Sequence, residues 1–200
     1  MARLSLFLLP FLLLPISAVG AESPAQASWE AFLTKPSAST FQSLSTAIRI
    51  CIVKRCHDSD VAGSDNNFAN LLSLLGLAEG GNHYGMELAF QIRPLYDNAA
   101  APSENIDRSL GLSSTQDPTF FLELMHQYDV PAEILHWLVV QTSIGSIDRL
   151  NVKREEWRSR IQSLSKVKDK RLLQLRDTAI SFIQHEIDSS SGLPDDPLGK

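Results

Sequence analysis

Between Phe68 and Ser146 the apolar side chains recur at spacings of three and four, and no stretch of useful length alternates apolar with polar residues. Phe68, Leu71, Leu72 and Leu75 form one such stripe, and Leu88, Ile92 and Leu95 form a second. Phe120, Phe121, Leu124 and Met125 form a third, followed by Ile134, Leu135, Leu138 and Val139. This spacing gathers the groups on one side of an α-helix, so each segment buries one face. Gly, Asn, Asp and Pro punctuate the intervals, at Gly80-Gly81-Asn82, Asp117-Pro118 and Asp129-Val130-Pro131. The pattern predicts an all-α chain.

The flanks set the boundaries. Residues 1–21 have the order of a secretory signal peptide: Arg3, an apolar run from Leu6 to Leu14, Pro15, then small residues from Ser17 to Ala21. Cleavage is expected after Gly20 or Ala21, which predicts a secreted or periplasmic protein. No later run approaches the ~18 apolar residues that a membrane span requires. Residues 22–188 are expected to form a single helical domain, large enough to enclose a core. Residues 189–200, rich in Ser, Gly, Pro and Asp, are expected to be a disordered tail.

Local signals divide the domain into helices. Ser28–Leu33 places Trp29, Phe32 and Leu33 on one face, and Lys35-Pro36 stops it. Ser37 or Ser39 caps the next, whose stripe is Phe41, Leu44, Ile48, Cys51 and Ile52. Asn67 caps Phe68–Leu77, and His83–Tyr96 returns with Pro94 bending or ending it. A short helix at Glu104–Leu110 is expected to close at Gly111. Asp117-Pro118 opens Thr119–Tyr128, and Asp129–Pro131 does the same for Ala132–Thr142, with Gly145 closing it. After Leu150 the apolar stripe resumes but is interrupted by the charged run Lys166–Arg171. A hairpin broken near 165–170 is the expectation, with Asp169 as cap of its second helix. Trp29, Trp137 and Trp157 share faces with other apolar residues and are expected in the core.

Successive helix pairs with Asp-Pro entries and Gly exits resemble α-helical repeat proteins of the HEAT type. Ile106-Asp107-Arg108 recurs as Ile147-Asp148-Arg149, within the period such repeats use. The resemblance implies an α-α superhelix of antiparallel helix pairs, whose exposed face binds another protein without catalytic residues. An irregular helical bundle is the alternative.

Charge is unevenly placed on a chain of net −5. Residues 21–150 are acidic, whereas residues 151–176 hold 9 basic and 3 acidic side chains. An acidic body with one basic segment argues against a general nucleic-acid binder. Arg154, Arg158, Arg160, Lys168 and Arg171 offer an interaction surface for an anionic envelope face or an acidic partner. The alternative is a solvated helix face partly paired with Glu155, Glu156 and Asp169.

Cys51 and Cys56 are the only cysteines. On an unbroken helix they point about 140° apart, so the disulfide expected of an exported chain requires the helix to end near Ile52–Val53. Cys51-x4-Cys56-His57 resembles a wide-spaced variant of the c-type haem attachment motif, with Met86, Met125 or a histidine as second axial ligand. The usual spacing is narrower. A zinc site on the same residues lacks a second ligand pair. Asp58-Ser59-Asp60 opens like a calcium loop, but Ala62 and Ala69 stand where oxygen ligands belong. His126 and His136 flank the Asp129–Pro131 turn, and His185-Glu186 lies near Asp188; neither set forms a recognised catalytic spacing. No cofactor is expected. The expected function is an exported, non-catalytic helical scaffold or adaptor that binds a protein in the cell envelope. An enzyme or redox-cofactor carrier using Cys51, Cys56 and His57 is the alternative.

Overall fold

The computed structural model of the chain describes residues 24–54, 67–96 and 100–193. Among these every regular element is helical: α1 (Pro24–Thr34), α2 (Ala38–Lys54), α3 (Asn67–Glu79), α4 (His83–Ile92), α5 (Ala100–Gln116), α6 (Pro118–Gln127), α7 (Ala132–Val140), α8 (Leu150–Leu164) and α9 (Leu173–Ser190). Short 3-10 turns follow α4 at Arg93–Tyr96 and α7 at Ile144–Ser146. Residues 1–21, read above as a signal peptide, and Cys56, His57 and Asp58–Asp60 lie outside the described residues.

Local chemistry sets many of the boundaries. Ser37 caps α2, its hydroxyl accepting the Thr40 N–H while the Thr40 hydroxyl accepts the Ser37 N–H, a reciprocal arrangement. Asp117 caps α6 by accepting the Phe120 N–H at 3.0 Å, with Pro118 in the first turn. Asn82 does the same for α4 through the Gly85 N–H. Gly81 turns the chain between α3 and α4 with φ +79°, a conformation in which a Cβ would be strained. Pro94 ends α4, and the chain tightens into the 3-10 turn beyond it.

Other boundaries depart from the pattern. α1 is already helical at Pro24, the first described residue, rather than starting at Ser28. α7 has no side-chain cap, because Asp129 takes φ 46° in the exit from α6 instead of facing the next helix. α7 also ends at Val140, and Gly145 lies within the following 3-10 turn. The hairpin break falls at 165–172, but Leu172 is the residue before α9; Asp169 accepts the Arg171 N–H and organises the turn. Residues 189–190, expected in the tail, complete α9, with Ser190 buried. Its carbonyl and hydroxyl accept the Arg154 guanidinium, which supplies the reason.

The helices stack in two layers. α1, α3, α5, α7 and α9 contact one another in succession, and α2, α4, α6 and α8 do likewise on the other side. Helices joined by short turns, α1 with α2 and α3 with α4, fold back on each other. Two ties break the regularity: α8 also packs on α5, and α9 on α6. The repeated tripeptide marks no equivalent positions. Ile106, Asp107 and Arg108 are buried in α5, whereas Ile147, Asp148 and Arg149 stand exposed before α8.

α5 runs as one helix through Gly111, where the sequence pattern predicts an end. That glycine is needed for a different reason. A Cβ there would come within 2.3 Å of the Leu138 carbonyl, so only hydrogen lets α5 and α7 approach so closely. Ile106 and Leu110 of α5 join Leu74 and Leu75 of α3, Phe121 of α6, Leu138 of α7 and Leu164 of α8 in one apolar cluster. The buried Asp107 is matched by Arg93 through two hydrogen bonds of 2.7 and 3.2 Å. Trp29 and Trp157 lie in the core as expected; Trp137 is 52 % exposed. Phe68 and Leu72 likewise face water, because α3 rotates to bury Leu71, Leu74, Leu75 and Ala78 instead.

Candidate functional site

The five basic residues of the expected interaction surface separate in space and in role. Arg160 is buried rather than on the outer face of α8, being 1 % exposed. It continues the α8 stripe that Trp157 and Leu164 define, at spacings of three and four, and that spacing was the available signal. Its Nη1 donates to the carbonyls of Val139 (2.5 Å) and Gln141 (2.6 Å), where α7 ends. The orphan carbonyls of a helix C-terminus are a natural partner for a guanidinium. Burial pulls this guanidinium down to about 10, with the nearby Glu156 carboxylate opposing the shift. Trp157 reinforces the same junction by donating Nε1–H to the Val140 carbonyl at 2.9 Å.

The others lie outside. Arg154 ties α8 to the end of α9 through Ser190. Arg158 is exposed on α8. Lys168 and Arg171 belong to the turn between α8 and α9. Lys168 Nζ donates to the Ser165 carbonyl at 3.0 Å, and Arg171 Nη2 to Asp169 Oδ2 at 2.6 Å. That hydrogen bond holds the Asp169 carboxyl below the usual carboxylate range, with His126 adding a smaller electrostatic effect, and pushes the Arg171 guanidinium up.

Arg171 opens onto a cleft of about 370 Å³ between the end of α6, α7 and the start of α9. Met125, Val130, Leu135 and Leu175 supply apolar lining, while His126, Asp129, Arg171, Gln174 and Thr178 supply the polar groups. The α9 N-terminus has no side-chain cap, so its first N–H groups and partial positive charge add to that of Arg171. Glu123 of α6 lies 4.0 Å from Arg171. An amphipathic cleft beside a helix N-terminus suits a short segment carrying a carboxylate on an apolar stem.

The histidines engage separately. His126 faces Asp169, whereas His136 Nε2 lies 3.3 Å from Glu186 Oε1 with its ring on Phe182. His83 Nε2 meets Asp117 Oδ2 at 2.7 Å and stacks on Phe120. His185 and Asp188 line an open groove along the outer side of α9. Among the described residues no three His, Cys, Asp or Glu side chains are grouped to hold a metal ion.

Cys51 is buried in α2, which continues to Lys54 rather than ending near Ile52–Val53. Cys56 and His57, the other residues of the expected disulfide and of the alternative cofactor site, lie outside the described residues. Among the described residues no helix is long and apolar enough to cross a membrane. The chain matches no known protein-family model, no curated protein and no solved structure.

Proposed function

We propose that the protein is an exported helical scaffold or adaptor, and that its α6–α7–α9 cleft receives an acidic segment of a partner protein in the cell envelope. The observation that carries the reading is the uncapped α9 N-terminus beside Arg171, opening over an apolar floor. Positive partial charge from the helix and the exposed Lys168 and Lys170 on the same turn favour an acidic occupant. The stacked layers support a repeat-like, HEAT-type scaffold in which one face is left for binding. The signal-peptide order of residues 1–21 supports export. In an oxidising compartment Cys51 and Cys56 pair, which requires the last turn of α2 to open.

Capture of the tagged protein from its native envelope after mild crosslinking tests the reading. One dominant partner is expected, its capture lost in K168E/R171E and weakened by added salt. Equal recovery with the double variant would exclude this cleft. The partner's acidic segment, made as a peptide, is then expected to bind the purified protein directly.

A further inference from the structure

A second cleft, of about 290 Å³, lies where the ends of α3 and α5 meet the middle of α8. Glu79, Leu112, Thr115, Gln116, Ser159 and Arg160 line it, with Glu156. It is separate from the α6–α7–α9 cleft and shares no lining residue with it.

Its charges are arranged in opposition. Arg160 is buried, and its hydrogen bonds are made by Nε to Thr115 and by Nη1 to Val139 and Gln141. Nη2 makes none of these bonds. Yet among the described residues the only fully buried side-chain nitrogen or oxygen without a partner is Arg108 Nε. Nη2 therefore retains access to the cleft that Arg160 lines. A guanidinium N–H with no partner inside the fold is a charge-assisted donor for a carboxylate.

The opposite wall is negative. Glu79 spends Oε1 on the Ser109 hydroxyl at 2.6 Å, leaving Oε2 open. Glu79 and Gln116 are the last residues of α3 and α5, so two helix C-termini point their partial negative charge at this end. Glu156, held by the Ser143 N–H and hydroxyl, adds a carboxylate beside Arg160. A bare anion meets two carboxylates here, and a bare cation meets a guanidinium. A molecule carrying both charges satisfies both ends.

We propose that this cleft binds a free α-amino acid, its carboxylate on Arg160 Nη2 and its ammonium at Glu79 and the two helix C-termini. Thr115 and Ser159 offer hydroxyls to the carboxylate, and Leu112 offers apolar surface to a side chain. The volume falls at the small end of ligand pockets, which excludes a long peptide.

Titration calorimetry and thermal shift on the purified full chain test the proposal, with glycine, L-leucine, L-glutamate and L-lysine as probes. At least one is expected to bind and to raise Tm. Its amide, lacking the carboxylate, and its N-acetyl form, lacking the ammonium, are each expected to bind at least ~10-fold more weakly, the effect of losing one charge-assisted hydrogen bond. Glu79→Gln, at an exposed position, is expected to weaken binding by a similar factor with an unchanged circular dichroism spectrum. No binding by any of the four would overturn the proposal. So would undiminished binding of the N-acetyl form, which marks a plain anion site, or an unchanged affinity in E79Q.

Discussion

α5 and α7 lie against each other and invert the usual relation between hydropathy and position. α5 reads Ala-Ala-Pro-Ser-Glu-Asn-Ile-Asp-Arg-Ser-Leu-Gly-Leu-Ser-Ser-Thr-Gln, the more polar of the two. Yet it touches α3, α4, α6, α7 and α8 and is the centre of the fold. α7, reading Ala-Glu-Ile-Leu-His-Trp-Leu-Val-Val, is almost wholly apolar and still leaves Trp137 half in water. Small residues explain the first case. Ser113 and Ser114 are fully buried, each hydroxyl bonded back to a carbonyl of its own helix, and Gly111 admits the neighbouring backbone. The second half of α5, with small side chains bonded to its own carbonyls, can be surrounded closely, whereas α7 turns a tryptophan outward.

The comparison is most strongly tested at Asp107. Asp107→Ala removes the buried carboxylate that receives two hydrogen bonds from Arg93 and is expected to cost ~3 kcal/mol, read as a fall in urea midpoint at unchanged slope. A loss within experimental error would show that α5 is not held by its polar pairs. Gly111→Ala follows, at ~1–3 kcal/mol, because α5 and α7 must move apart. Circular dichroism melts report it, and a neutral result would mean the two helices separate freely.

The cap between α5 and α6 has a smaller effect with a pH signature. Burial pushes the Asp117 carboxyl up, but the Phe120 N–H and His83 outweigh it and hold it below the usual carboxylate range. A depressed folded-state value stabilises the fold above the unfolded value near ~3.9 and loses that contribution as pH falls through the folded value. Asp117→Ala is expected to cost ~1 kcal/mol at neutral pH. The difference from wild type should narrow in melts taken at progressively more acid pH; a constant difference would sink the account. Smallest of all, Trp137→Ser is expected to change stability by no more than ~0.5 kcal/mol. A loss of several times that would return Trp137 to the core.

What could be read from the sequence was what neighbouring residues decide. Asp117-Pro118, Asn82 and Pro94 act within a few residues, so their effects on helix boundaries followed from local chemistry alone. The break between α8 and α9 was also legible, since a charged run cannot continue a buried stripe. The extent of α5 was not, because Gly111 is a stop signal in isolation and a close-approach residue only once α7 is beside it. Arg160 was misplaced for a related reason: its charge suggested water, while its position on the stripe of Trp157 and Leu164 placed it under the α7 terminus. Of the five basic residues, Arg171 alone borders the proposed partner cleft, since a count of charges carries no information on which side of a turn each one faces.

The two-layer stacking has a consequence for how the fold comes apart. Where each helix pair touches only the next, an end pair can open without the remainder. Among the described residues α1 and α2 are held mainly through α3 and α4, so they form the unit expected to exchange amide hydrogens first. At the other end α8 reaches back to α5 and α9 to α6, which joins those helices into one cooperative block. Protection should therefore rise in a step between α2 and α5 rather than fade symmetrically from the middle toward both termini.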